Sequence, residues 1–421
     1  MKSALAVAVV FGTRPDAVKM APVVAALTRD PRFRCVTIAT AQHREMLDEV
    51  LDLFGIKAEY DLGVMTEGQS LTDITTRVLE RIGTVLADVR PEVVLVHGDT
   101  TTSTAAALAA YYHKIPVGHV EAGLRTSTMY EPFPEEINRR LTGVLATYHF
   151  APTPLAKQNL LREGKDPKNI LVTGNTVIDA FTQIHGSIGD KDAVPVETPR
   201  MIFAEAHRRE NLGEPMEAIC RAFKAVVCAR PDVSLVWPVH PNPPIVEAVR
   251  RNLEGVPRVH LMQPLGYRRL VATIARATIV ATDSGGLQEE APTLGKPVLV
   301  LRRVTERPEG LQAGTLRLAG VTEQEIAAHL SELLDDSAAY QKMAKAANPY
   351  GDGHASRRIA DGLWAQMRGG ALPDEFVPPN LDNEATANAT TANEATANET
   401  TANEATANEA TDLQVRSHKR Q

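Results

Sequence analysis

Residues 95–140 read LVHGDTTTSTAAALAAYYHKIPVGHVEAGLRTSTMYEPFPEEINRR. Two short apolar strands, 93–96 and 117–120, each run into a polar loop that carries a carboxylate. The first is His97-Gly98-Asp99 and the second is Glu121-Ala122-Gly123. A helix over 102–112 lies between them. Strand, helix and strand at this spacing make a parallel unit, and ligands of such sheets bind outside the carboxyl ends of the strands. A further helix starts at Pro134, with Glu135 and Glu136 in its first turn. Asp99, Glu121 and Glu135 are therefore predicted to line one crevice equipped for proton transfer.

The same rhythm extends in both directions. A buried strand over 5–10 meets the turn Phe11-Gly12-Thr13-Arg14-Pro15-Asp16. A helix follows to about Leu27, with Pro22 expected to kink or restart it. Strands are predicted at 35–39, 148–151 and 170–172, helices at 46–54 and 71–89, and a loop at 60–70. After a polar, proline-bearing connection over 186–200, strands recur at 201–204, 234–237, 259–262, 278–281 and 297–301, with helices between. Strands alternating with helices predict α/β architecture, as two Rossmann-like doubly wound domains facing a cleft. The first domain spans 1–185 and the second, nucleotide-binding domain 186–347. A closing helical segment over 348–371 follows a break around Asn348-Pro349-Tyr350-Gly351. From Leu372 the composition changes, and 383–411 repeat NEATA with small variations. Without large apolar residues the repeat cannot bury a core, so 372–421 are predicted to be a disordered tail.

Composition excludes several classes. The 421 residues are 43% hydrophobic, enough for large cores, and carry a net charge of -7. No basic field for nucleic acid is present. Three cysteines form no CxxC pair and no metal spacing, which fits a reducing compartment. Residues 1–10 read as a first strand and not as a signal peptide. No apolar run reaches the roughly 18 residues of a membrane span. The expectation is a cytoplasmic protein that binds neither membrane nor nucleic acid.

Four loops hold the candidate ligand contacts. Asp283-Ser284-Gly285-Gly286-Leu287-Gln288-Glu289-Glu290 follows a strand and opens a helix that Ser284 can cap. Its free N–H groups and dipole suit an anion, and Glu290, on the same face as Gly286, could accept from the hydroxyls of a ribose. An ordinary capped helix is the plainer reading. Arg14 and Lys19, at the matching corner of the first domain, could meet a pyrophosphate or be surface charge. His207 in His207-Arg208-Arg209-Glu210-Asn211 could titrate or bond a phosphate, and His240 resembles it more weakly. Glu135 and Glu136 could simply form exposed ion pairs with Arg139 and Arg140. Asp99 could cap the helix after it. Glu121 has no comparably ordinary role.

Together, FGTRPDAVKMAP, HGDTTTSTAAALAA, VGHVEAGLRT, PFPEEINRRLTG, TGNTVIDA, AHRRENLGEP, PVHPNP, TDSGGLQEEAPTLGKPVLVLR, TERPEG and NPYGDGHASRRIADGL resemble the non-hydrolysing UDP-N-acetylglucosamine 2-epimerases, in unbroken order from Val9 to about Leu363. The resemblance implies a GT-B fold, substrate in the interdomain cleft and a C-terminal helix packed back on the first domain. It implies catalytic roles for Asp99, Glu121, Glu135 and His207. Nucleotide contacts fall on Arg14, Lys19, Ser284, Gly285, Gly286, Glu290 and Arg307. The uracil side falls on 264–270, with Leu265 and Leu270 as the side chains. The implied reaction is the reversible interconversion of UDP-N-acetylglucosamine and UDP-N-acetylmannosamine through 2-acetamidoglucal. It needs no cofactor and no metal. A homodimer supplying a surface polysaccharide or other glycan is the implied setting.

The chain departs from that pattern at three places. Glu205 stands two before His207, where the family usually has threonine or a small residue. Glu45 and Gly68 replace residues that hold a second, activating substrate molecule in some bacterial members, while Gln42, Glu136, Arg209 and His240 remain. Weak or absent activation is the expectation. A glycosyltransferase of the same fold, which would need an acceptor, and a nucleotide-sugar sensor without catalysis are the rival readings.

Overall fold

The computed structural model describes residues 3–40, 44–64, 66, 68–126, 128–130 and 132–379, with 44–46 by backbone only. Two parallel sheets carry the chain. The first comprises β1 (Leu5–Phe11), β2 (Phe33–Ala39), β3 (Tyr60–Asp61), β4 (Val93–His97), β5 (Val117–Val120), β6 (Tyr148–Ala151) and β7 (Ile170–Val172), in the order β3-β2-β1-β4-β5-β6-β7. The second comprises β8 (Arg200–Glu205), β9 (Val233–Pro238), β10 (Val259–Met262), β11 (Ile279–Thr282), β12 (Val298–Val300) and β13 (Leu316–Leu318), in the order β10-β9-β8-β11-β12-β13. Both orders reverse beside their first strand. The switch points therefore lie between β1 and β4 and between β8 and β11, where crevices open for ligands.

Helices cover both faces, so the central strands are apolar throughout; every residue of β4 is buried. That continuity made most strands legible. Two were not. Tyr60–Asp61, expected as loop, pairs with Ile38 and Ala39 as a two-residue edge strand. Leu316–Leu318 adds an edge to β12 and has no alternation to announce it. The helix Arg14–Arg29 runs through Pro22 without restarting. Its first turn is fixed by a capping box between Thr13 and Asp16, and its apolar side is buried, so packing outweighs the bond that proline removes.

The last described helix returns to the first sheet's side. Helix Ala355–Arg368 lies against helix Arg14–Arg29. Trp364 meets the Phe33 ring edge-on at 5.8 Å, Arg32 pairs with Asp361, and Asp179 receives the N–H groups of Ala355 and Ser356. The expected tail boundary at Leu372 is wrong. Phe376 is 4% exposed, its N–H donates to Val172 O at 2.8 Å, and Glu375 accepts from Val172 N–H at 3.1 Å and from Lys157 at 2.7 Å. This short strap covers the otherwise open edge of β7, a place where unpaired backbone groups need partners. Residues 380–421, including the NEATA repeat, lie outside the described residues. Among the described residues no helix is long and apolar enough to cross a membrane.

Candidate active site

The switch point of the first sheet gathers charge at close range. Glu121 follows β5 with φ of +62°, a left-handed conformation that is strained for a side chain of this size. That turn aims its carboxylate back toward β4. Lys19 Nζ donates to Glu121 Oε1, and Asn175 Nδ2 donates to the same oxygen at 2.8 Å. His97 Nε2 stands 3.3 Å from Glu121 Oε2, and its Nδ1 stands 3.4 Å from Asp16 Oδ1. These two contacts are electrostatic, because neither ring nitrogen meets its carboxylate in hydrogen-bond alignment. Burial would raise the Glu121 carboxyl, but Lys19, His97 and Arg307 overcome it and hold the group well below the ordinary carboxylate range. Burial likewise opposes the Lys19 charge, and Glu121 and Glu289 more than restore it.

Asp99 lies one loop away in the opposite environment. Burial lifts its carboxyl above the ordinary range; Arg139, which donates to it, and Lys19 oppose the rise, while Glu121 and Glu135 add to it. Glu135 is thereby placed within electrostatic reach of Asp99. The loop is fixed from beneath: Gly98 N–H donates to Val120 O at 2.8 Å, and His119 Nε2 contacts Gly98 O at 2.7 Å. Burial pushes the His119 imidazolium down to about 3, so the neutral ring is the donor. Thr100, not Asp99, caps helix Thr101–Tyr112, which removes the ordinary role weighed for Asp99. The exposed ion pairs expected around 135–140 are absent in that form. Glu136 is fully buried, accepts from Thr126 N–H at 3.0 Å and Arg140 at 2.7 Å, and Arg139 is drawn to Asp99.

The second sheet's switch point faces this cluster with cations and backbone. Asp283 is fully buried and accepts from the N–H groups of His207 and Arg208 and from Asn211 Nδ2. This sets His207 at the cleft, with Nδ1 3.5 Å from Glu205 Oε1 and the ring stacked on His240 at 5.4 Å. The Glu205 carboxylate, working against burial and aided by Asp283, holds the His207 imidazolium to higher pH than usual. Ser284 makes no side-chain cap, contrary to expectation. A Cβ at Gly285 would lie 3.5 Å from Arg307 Nη2 and 3.8 Å from Arg208 Nη2, so two guanidinium groups flank that corner. Glu290 is buried, accepts from Tyr267 Oη at 3.1 Å, and is pushed by burial up to about 7. Arg14 Nη2 donates to Leu265 O at 3.3 Å and so spans from one sheet's loops to the other's. Leu265 and Leu270 pack on the main core, which leaves backbone as the contact surface there.

Lys19, Asp99, Glu121 and Arg307 thus interact in one cluster, with Glu135 acting on Asp99 and Lys19 acting on Glu290; Arg14 stands apart on Leu265 O, and His207 on the 205–211 loop. Gln42 and the Glu45 side chain lie outside the described residues. Sequence reasoning missed Asp16, His97, Arg139, Asn175, Arg208 and Glu289 as members. The Thr13-x-x-Asp16 box was a legible signal for one of them. His97, as the last residue of a buried strand, was a signal for another.

Known proteins agree with this architecture. A family model described as UDP-N-acetylglucosamine 2-epimerase matches residues 25–364. The UDP-N-acetylglucosamine 2-epimerase of Salmonella typhimurium is 52% identical over 364 residues, spanning 84% of this chain and 97% of that one. The crystal structure of the Neisseria meningitidis UDP-GlcNAc 2-epimerase bound to UDP-GlcNAc superposes with a TM-score of 0.77 at 47% identity, over 85% of this chain and 99% of that one. The glycotransferase of kitacinnamycin, 13% identical with a TM-score of 0.61 over 88% of this chain and all of that one, shares the GT-B-like fold alone. On the site's geometry and these likenesses, the chain belongs to the UDP-N-acetylglucosamine 2-epimerase family.

Proposed function

We propose that this protein interconverts UDP-N-acetylglucosamine and UDP-N-acetylmannosamine in the cleft between the two sheets. One observation carries the reading. Two carboxylates a loop apart sit in opposed environments, Glu121 held ionised by cations and Asp99 lifted toward protonation by burial. Groups pushed apart in this way suit a paired acid and base. The C2 proton of the sugar is not acidified by a carbonyl, so direct removal is slow. In the proposed route the C2–H pair forms a C1=C2 bond, the proton passes to a carboxylate, and the C1–O bond breaks with its pair to UDP. UDP then adds back at C1 while C2 takes a proton on the other face. Asp99, Glu121 and Glu135 carry the protons. His207, Arg14, Arg307 and the backbone of Ser284, Gly285 and Gly286 bind the diphosphate, whose charge grows as it leaves. Lys19 holds Glu121 and faces the same space. Glu290 binds the ribose, and the backbone around Leu265 and Leu270 the uracil.

The likeness to a relative solved with UDP-GlcNAc supports the substrate. Incubation with UDP-N-acetylglucosamine alone tests it: the epimer should form without any acceptor. Free N-acetylmannosamine with UDP, or no product until an acceptor is added, would overturn it. The proposed setting is cytoplasmic and the proposed assembly a homodimer. Tyr111, Tyr112, Leu141 and Val144 stand exposed on the packed helices Thr101–Tyr112 and Glu135–Leu145, an apolar face suited to a second copy.

A further inference from the structure

One side chain outside the expected site joins its two halves. Asn175 follows β7 and caps helix Thr176–His185, its Oδ1 accepting from Val177 N–H at 3.0 Å. It is 2% exposed. Its Nδ2 donates twice, to Glu121 Oε1 at 2.8 Å and to Glu289 Oε2 at 2.9 Å. A carboxamide nitrogen has two hydrogens, so both are spent. Glu121 belongs to the first sheet's switch point. Glu289 lies on helix Gly285–Glu290 of the second and is 1% exposed. Each glutamate also has its own cation: Lys19 shares Glu121 Oε1 with Asn175, and Arg307 takes Glu289 Oε1, the oxygen that Asn175 leaves free. The result is a buried chain, Lys19, Glu121, Asn175, Glu289, Arg307, that crosses between the sheets. The backbone braces it: Asn175 N–H donates to Tyr350 O at 2.7 Å, and Asn348 Nδ2 donates to Glu289 O at 2.9 Å.

A helix cap alone does not require this residue. Serine or aspartate caps equally well, and threonine somewhat less so. What asparagine adds is a pair of donors between two carboxylates that would otherwise repel. Aspartate at 175 would set three carboxylates together, and alanine would leave two buried acceptors short of a partner. We propose that Asn175 is a positioning residue that ties the carboxylate of Glu121 to the Glu289–Arg307 pair, so that one amide fixes the proton-handling corner against the corner that holds the departing diphosphate. The inference rests on the epimerase reading above and adds to it a residue acting through Glu121 and Glu289. With the tie cut, the corners can part while UDP and the glucal are both bound, and some of each escapes before recombining.

Asn175→Ser separates the two roles, since it keeps the cap and removes the bridge. Asn175→Asp keeps size and cap and inverts the electrostatics. Wild type and both variants are assayed with UDP-N-acetylglucosamine, with free UDP measured beside the epimer. In Asn175→Ser, kcat should fall at least about tenfold with a smaller change in KM, because the loss lies in the reacting state. Free UDP should accumulate per turnover well above the wild-type fraction. The acid limb of kcat should move to higher pH, since Glu121 has lost a donor that favours its ionised form. Asn175→Asp should lose more activity than Asn175→Ser. Wild-type kcat and wild-type partitioning in Asn175→Ser would overturn the proposal and leave Asn175 a cap. So would a loss of kcat that follows a fall in Tm, with no free UDP and an unmoved acid limb. Inactive wild-type protein would instead overturn the epimerase reading, and this inference with it.

Discussion

Asp99 and Asp283 hold the same place in two sheets of one topology, each in the loop after the strand that follows the reversal of order. Their fates differ. Asp283 is buried out of contact with solvent and spent on three donors of the 207–211 loop. Asp99 keeps a partly exposed side chain with one arginine partner, and Glu121 on the neighbouring loop joins it. One corner therefore presents titratable acids. The other has buried its acid and presents His207, Arg208 and Arg307. The comparison teaches that a strand-end aspartate in this fold is a catalytic candidate only when its oxygens are not already consumed by backbone.

The sharpest way to break the contrast is to remove each titrating group while keeping its shape. Asp99→Asn and Glu121→Gln should each cost kcat about 10²–10⁴-fold, the range of acid–base groups; Tm should change little in Asp99→Asn but fall in Glu121→Gln, which leaves the buried Lys19 without its counter-charge. Steady-state rates and a thermal melt measure both. Asp283→Asn should show the reverse emphasis. Its amide would set donors against donors, and the loss of a charged acceptor costs about 1.5–3 kcal/mol per bond, read as a lower Tm. An Asp283→Asn protein as stable as wild type would erase the distinction. The smallest effect concerns Glu290. Its ligand-free carboxyl lies at about 7, above the ordinary carboxyl, so the folded protein takes up a proton there as pH falls. A protonated carboxyl is the weaker acceptor for two hydroxyls. KM should therefore rise below pH 7 by up to about tenfold per unit, and Glu290→Gln should flatten that rise while raising KM at pH 8. The stability sign is opposite to that of a paired acid. A raised carboxyl favours the folded form at low pH, and that contribution is lost between the unfolded value and about 7.

Much of this is legible in the sequence. Strands buried on both faces are apolar runs, so β1, β4, β5 and their equivalents in the second sheet announce themselves, and their loops deliver Asp99, Glu121, His207 and Ser284. The short edges β3 and β13 gain pairing from neighbours and carry no signal of their own. The strap at 374–377 hid in a polar tail because a single Phe376 supplies its anchor. Within the site, residues with an ordinary local role were the ones overlooked. Asn175 reads as a cap and is one; its second task depends on Glu289, more than a hundred residues away. Arg139 reads as a helical partner of Glu135 and turns instead to Asp99. Periodicity on the short helix Gly285–Glu290 gave no means of telling that Glu289 and Glu290 both point inward.

The central claim is that the proton leaving C2 and the proton entering it are carried by different carboxylates on opposite faces of the sugar. Conversion in D2O tests it most directly. Starting from UDP-N-acetylglucosamine, each epimerised molecule should carry deuterium at C2 by mass spectrometry and proton NMR. The reverse reaction from UDP-N-acetylmannosamine should reach the same mixture with the same label. Epimer that retains the original hydrogen at C2 would mean that one group returns the same atom, and would contradict the two-face account.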